Sequence, residues 1–183
     1  MFSDFVKLGI SHIIPLGYDH ILFIILLYFS NSDLKKSLLL CSIFTVAHSI
    51  TLFIAIFHLV KYDAYWVEIF IALSILIMGL QNMIWKNWNI KSGLIIFLFG
   101  LMHGLGFANS ITNIHFQTNQ IINSILGFNI GIEIAQTLVI LFCYFLISKP
   151  FMKKEWYQSK IITGISLFGS SIALFWVVQK ILN

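Results

Sequence analysis

The residues of this chain that could do chemistry are three histidines and three carboxylates set among apolar neighbours, with a fourth histidine, His12, just ahead of them. They begin in "HIIPLGYDH" (residues 12–20), where His12, Asp19 and His20 lead into the apolar run "ILFIILLYF". His48, Glu68, His103 and Glu133 follow at intervals, each inside a hydrophobic stretch, with Ser49, Asn129 and Gln136 as polar companions. Imidazole nitrogen with carboxylate oxygen is a borderline donor set suited to Zn²⁺, Ni²⁺, Co²⁺ or Fe²⁺. No thiolate joins it: Cys41 and Cys143 lie in apolar runs and read as small buried hydrophobes. The expected nitrogen ligands are His20, His48 and His103. Asp19, Glu68 and Glu133 are expected to complete the shell or to orient the rings, since a carboxylate also offsets a cation's charge in low dielectric. His12 reads as an outer gate residue, and Ser49, Asn129 and Gln136 as supporting groups.

Such groups must be positioned by elements that tolerate them. The chain has 183 residues, 59% hydrophobic and only 10% charged, with a mean hydropathy of +0.93. Soluble domains are about 45–50% apolar and about 25% charged, so the composition predicts an all-α integral membrane protein. A crossing helix needs about 20 apolar residues, and six segments qualify: 9–30, 37–60, 64–85, 92–111, 122–148 and 161–180. The connections are short and no linker or repeat interrupts them, so a single bundle of about six transmembrane helices in one domain is expected.

Lysines set the expected orientation. All eleven basic residues are lysines; Lys35, Lys36, Lys86, Lys91, Lys149, Lys153, Lys154 and Lys160 lie after segments one, three and five, against Lys7, Lys61 and Lys180 on the other side. The positive-inside rule then puts both termini outside. Trp66, Trp85, Trp88 and Trp156 near segment ends fit an aromatic belt. The dispersed lysines form no basic face for nucleic acid, and no cleavable signal peptide is evident.

With about 1.5 Å of rise per residue, the buried polar residues fall between the midplane and the outer surface in five of the six segments. Thr45, His48 and Ser49 share a helix face, as do Asn129, Glu133 and Gln136. His12 and Asp19 share one if the helix is continuous through Pro15 and Gly17, which can break it. Gly100, Gly104 and Ala108, and likewise Gly127, Gly131 and Ala135, form small-residue stripes that allow close helix approach. His58 and His115 read as ordinary surface residues.

Ionisable groups in a membrane mark function by default; a purely structural hydrogen-bond network or an accessory subunit is the bland alternative. Three activities suit the layer. A permease would bind a divalent cation and release it to the other side. An intramembrane metal-dependent hydrolase would keep the metal and use a carboxylate as base, although neither HExxH nor GxSxG is present. A proton-coupled relay is the third.

Five blocks, "HIIPLGYDHILF", "FTVAHSITL", "VEIFIALSI", "FGLMHGLGFA" and "FNIGIEIAQ", together resemble the HupE/UreJ family of bacterial membrane proteins, in that family's order, over roughly residues 9 to 140. The resemblance implies a multi-pass protein of the bacterial cytoplasmic membrane, linked through hydrogenase and urease gene clusters to nickel, and sometimes cobalt, uptake. It falls on His12, Asp19, His20, His48, Glu68, His103, Asn129 and Glu133. Nickel-linked members carry a histidine-rich block where this chain has "MHGLGFA" with His103 alone. The resemblance is therefore to the broader branch, and implies metal handling without fixing nickel.

Overall fold

A computed structural model describes residues 2–84, 91–111 and 121–182. Among them the chain is helical throughout, with no strand. We number the helices α1 (Phe2–Ile13), α2 (Tyr18–Phe29), α3 (Leu34–Ile56), α4 (Ala64–Ile84) and α5 (Lys91–Ile111). Helix α6 starts as Ile121–Phe142 and continues through a π-helical turn, Cys143–Ser148, to Phe151; α7 begins in a second π-helical turn, Tyr157–Ile162, and runs on as Thr163–Leu182.

Four of these, α3, α4, α6 and α7, are long and apolar enough to cross a membrane. Helix α5 is apolar over Ser92–Phe107. The protein is an all-α, multi-pass membrane protein, and its outward surface agrees: Leu39, Trp66, Leu94, Leu138, Phe168 and Phe175 are all more than half exposed, as side chains facing lipid must be.

The segment 9–30, expected as one span, is a broken pair. Helices α1 and α2 meet at 72° across a turn of four residues, which includes the cis Ile14–Pro15 peptide bond. Proline's missing N–H ends the helical ladder there. The turn closes with Gly17 N–H donating to the Ile13 carbonyl (3.1 Å). Gly17 lies so close to the His12 carbonyl that a Cβ would collide with it. Any other residue at 17 would push α1 and α2 apart.

Helix α1 packs along α6 and α3 along α5, α4 pairs with α7, and α2 contacts α3, α4, α6 and α7. The glycine stripes explain the close pairs. A Cβ on Gly9 would lie 3.0 Å from the Gly131 Cα, and one on Gly100 2.6 Å from the Phe44 carbonyl. Backbone approach of this kind supplies the dispersion contacts that hold helices together when lipid is as apolar as the interface. Helix α2, only twelve residues long, is the centre. Its Phe23, Leu26, Leu27 and Tyr28 are completely buried and Phe29 is 2% exposed.

Helix α3 is capped by Asp33, whose carboxylate accepts from the Lys36 N–H (2.8 Å). Both cysteines are free and buried. Trp66 and Trp156 are exposed; Trp85, Trp88 and His115 lie outside the described residues.

Candidate metal centre

The break between α1 and α2 folds the end of one helix back over the start of the next. His12, in the last turn of α1, thereby meets His20, in the first turn of α2, with ring centroids 4.5 Å apart. His48 on α3 lies 5.5 Å from the His12 ring and 5.7 Å from His20, and His103 on α5 lies 4.8 Å from His20. Helices α3 and α5 can deliver these two rings because Gly104 rests against the His48 carbonyl.

Two overlapping sets of candidate donors result. His12, His20 and His48 place one ligand atom each within 4.8 Å of one another, and so do Asp19, His20 and His103. His20 belongs to both. His48 and His103 are fully buried, His20 is 3% exposed, and Asp19 retains 32% of its side chain exposed.

Hydrogen bonding assigns the ring nitrogens. The His20 Nδ1–H donates to Asp19 Oδ1 (3.1 Å), since an ionised carboxylate can only accept. That leaves Nε2 of a neutral His20 as a lone pair. Ser74 on α4 spends its single proton on the Ile71 carbonyl (2.7 Å), so its Oγ accepts from His103 Nε2–H (3.0 Å). His103 Nδ1 is then the lone pair, 4.0 Å from Asp19 Oδ2. His12 Nε2, His20 Nε2, His103 Nδ1 and both nitrogens of His48 are buried without a hydrogen-bond partner among the described residues.

Five orphaned imidazole nitrogens around one carboxylate are costly, because each buried unpaired polar atom forfeits its hydration. A divalent cation of the borderline class would satisfy several at once. A carboxylate holding the far nitrogen of a ligand histidine is the usual way of fixing its tautomer, and Asp19 stands in that relation to His20. The residues fit such an ion. The wall around them is aromatic: Phe107 lies 3.8 Å from the His12 ring centroid, Phe44 5.0 Å from His103, and Phe107 stacks on Phe128.

Two clefts reach the group, and Asp19 lines both. One, of about 400 Å³, is bordered by Glu68 and Lys180; the other, of about 320 Å³, by Ser11, His12 and Phe107.

The expected ligand set is thus gathered only in part. The structure brings His20, His48, His103 and Asp19 together and adds His12 to them. The sequence placed His12 at a gate because it lies toward the outer end of the first segment; the 72° bend folds it back onto His20. Glu68 is not among the gathered donors. It sits near the start of α4 with its side chain 53% exposed and pairs with Lys180 of α7. Glu133 is also apart, with its Oε2 accepting from Ser42 Oγ (3.3 Å). Asn129 and Gln136 face α3 as well: Ser49 Oγ is 2.7 Å from Asn129 Oδ1 and Thr45 Oγ1 is 3.0 Å from Gln136 Oε1. These residues form a polar seam between α3 and α6 beside the histidines. His58 is exposed. Ser74 was missed, and its only signal was a hydroxyl on an apolar helix.

A model of the HupE/UreJ protein family matches residues 1–180, and the chain belongs to that family. No curated protein and no solved structure matches it.

Proposed function

We propose that this protein is a membrane permease for a divalent transition-metal cation of the zinc, nickel or cobalt type. The observation that carries the proposal is the group His12, His20 and His48, with unpartnered ring nitrogens gathered in a bundle that lipid surrounds. The cation is the cargo. It enters by the clefts that border Asp19, exchanges water for carboxylate and imidazole, and must leave past α2. Partly exposed Asp19 neutralises part of the charge as the ion reaches the imidazoles, and three neutral imidazoles give borderline affinity with no thiolate to trap the ion. The family's association with metal uptake supports the same direction. We place the protein in the bacterial cytoplasmic membrane as one domain with both termini outside, in keeping with the lysine distribution.

The hydrolase reading needs a carboxylate free to act as base beside the metal. Asp19, the only carboxylate in the two donor groups among the described residues, has one oxygen on His20 and the other facing His103 as a donor to the ion, while Glu68 and Glu133 engage Lys180 and Ser42. That arrangement favours transport.

Uptake of Ni²⁺, Co²⁺ or Zn²⁺ into proteoliposomes is the direct test, with elemental analysis of the detergent-purified protein beside it. Wild type should accumulate at least one of the three ions, and His20→Ala and His48→Ala should abolish both accumulation and bound metal. Stoichiometric metal that survives prolonged dialysis without any uptake would favour the enzyme. Unchanged uptake and metal content in both variants would refute the site.

A further inference from the structure

The Glu68–Lys180 pair is unusual in its location. Apart from Asp19, these are the charged side chains bordering the larger cleft; the remaining walls are Ile71, Ala72, Trp176 and Gln179. Glu68 comes from α4 and Lys180 from α7, so the pair spans two helices at the cleft that ends on Asp19. On α4, Glu68 precedes Ser74 by six residues, about 9 Å of helix rise, and Ser74 holds His103. A cation moving down this cleft passes the pair before it reaches the histidines.

Resting on the permease reading, we infer that Glu68 and Lys180 form a charged gate over the entry cleft. Glu68 is the first carboxylate an incoming cation meets, and Lys180 is the resident counter-ion that the cation must displace from it. Lys180 does two opposing things. It neutralises Glu68 in the absence of substrate, and its own ammonium repels cations from the cleft. A divalent ion competes for the carboxylate with twice the charge of the lysine, so the gate favours divalent over monovalent cations before any imidazole is reached. Both side chains are partly exposed, at 36% and 53%, so they can separate and re-form without burying an unpaired charge.

A structural staple joining α4 to α7 is the competing explanation, and it makes a different prediction. Glu68→Gln and Lys180→Met break the same contact, so a staple changes both variants in the same direction. A gate changes them in opposite directions: Lys180→Met leaves an uncovered carboxylate and accelerates cation entry, whereas Glu68→Gln leaves an uncovered ammonium and slows it. The measurement is the association rate of Co²⁺ with the detergent-purified full chain, followed by the visible absorption of the imidazole complex in a stopped-flow instrument. The two variants should differ by roughly tenfold or more at low ionic strength, and the difference should shrink at high salt as the Debye length falls. Final Co²⁺ stoichiometry should match wild type in both. Equal rates, or rates shifted the same way while wild type binds Co²⁺ normally, would overturn the gate alone. Failure of wild type to bind Co²⁺, Ni²⁺ or Zn²⁺ at all would overturn the metal site and the gate with it.

Discussion

At its first turn α2 carries Asp19 and His20, within reach of His12, His48 and His103 and bordered by two clefts. From the next turn to its end it carries Phe23, Ile24, Leu26, Leu27, Tyr28 and Phe29, none more than 2% exposed. The polar end is rich in lone pairs with nothing to accept, and the apolar end is packed on most of its faces, with Leu22 and Ile25 partly exposed at an apolar cleft. Beyond it, Tyr157 and Ser148, one from each π-helical turn, hydrogen-bond at 2.6 Å, and Asn82 donates to the Leu26 carbonyl (2.9 Å). One short helix therefore forms the floor of the clefts and, on the permease reading, the plug beneath them. For a carrier this is the arrangement in which the site faces one side only.

The contrast can be broken by substitutions that should cost stability at one end and metal affinity at the other. Leu27→Ala in the plug should have the largest effect on folding, a loss of about 2–5 kcal/mol, read as a lowered melting temperature in detergent. Metal affinity of the fraction that stays folded should be unchanged. If affinity fell in step with stability, the two ends would be one cooperative unit and the distinction would fail. Ser74→Ala should do the reverse. It removes the acceptor that fixes the His103 tautomer, and loss of such an outer partner weakens metal binding by about 10–100-fold. The melting temperature should hardly move, and Ser74→Thr, which keeps the hydroxyl, should restore affinity.

How much of this could be read along the chain follows from which interactions are local. Helix rise is nearly constant, so the depth of His20, His48 and His103 could be counted from the segment ends. The Gly100/Gly104 and Gly127/Gly131 stripes announced close packing for the same reason, since residues four apart must share a face. Partners were another matter. Pro15 and Gly17 signalled irregularity at the head of α2, yet the size and direction of the bend depend on α1 finding Gly131 of α6 through its own Gly9. The packing of α1 along α6 turns His12 toward the histidines. Glu68 had the right depth for a ligand, but the pairing of α4 with α7 sets it against Lys180, and no spacing along one helix reveals the charge opposite. Glu133 was expected as a ligand on a polar face with Asn129 and Gln136; that this face meets Ser42 and Thr45 of α3 instead is again a property of helix order.

The smallest expected effect lies at the far rim of the plug. Tyr157→Phe removes the hydrogen bond to Ser148 and should cost about 1 kcal/mol without altering metal affinity. Chemical unfolding monitored by tryptophan fluorescence would measure it. Should the same change instead accelerate metal uptake, the rim would be a barrier that limits release, and the plug would deserve the name of a gate.

The placement of α2 also has an electrical consequence. From Phe23 to Phe29 the part of the helix below the site covers seven residues, about 9 Å of rise at 1.5 Å per residue, within a hydrocarbon layer of about 30 Å. Electric fields concentrate where the medium polarises least, so on the permease reading the membrane potential should fall mainly across this apolar stretch rather than along the clefts. Moving charge through the whole potential is worth about 2.3 kcal/mol per elementary charge per 100 mV. A divalent ion arriving at His20 from the cleft would sense little of that voltage, and its departure through the plug would sense most of it. Binding should therefore be nearly insensitive to membrane potential, and turnover at saturating cation steeply dependent on it.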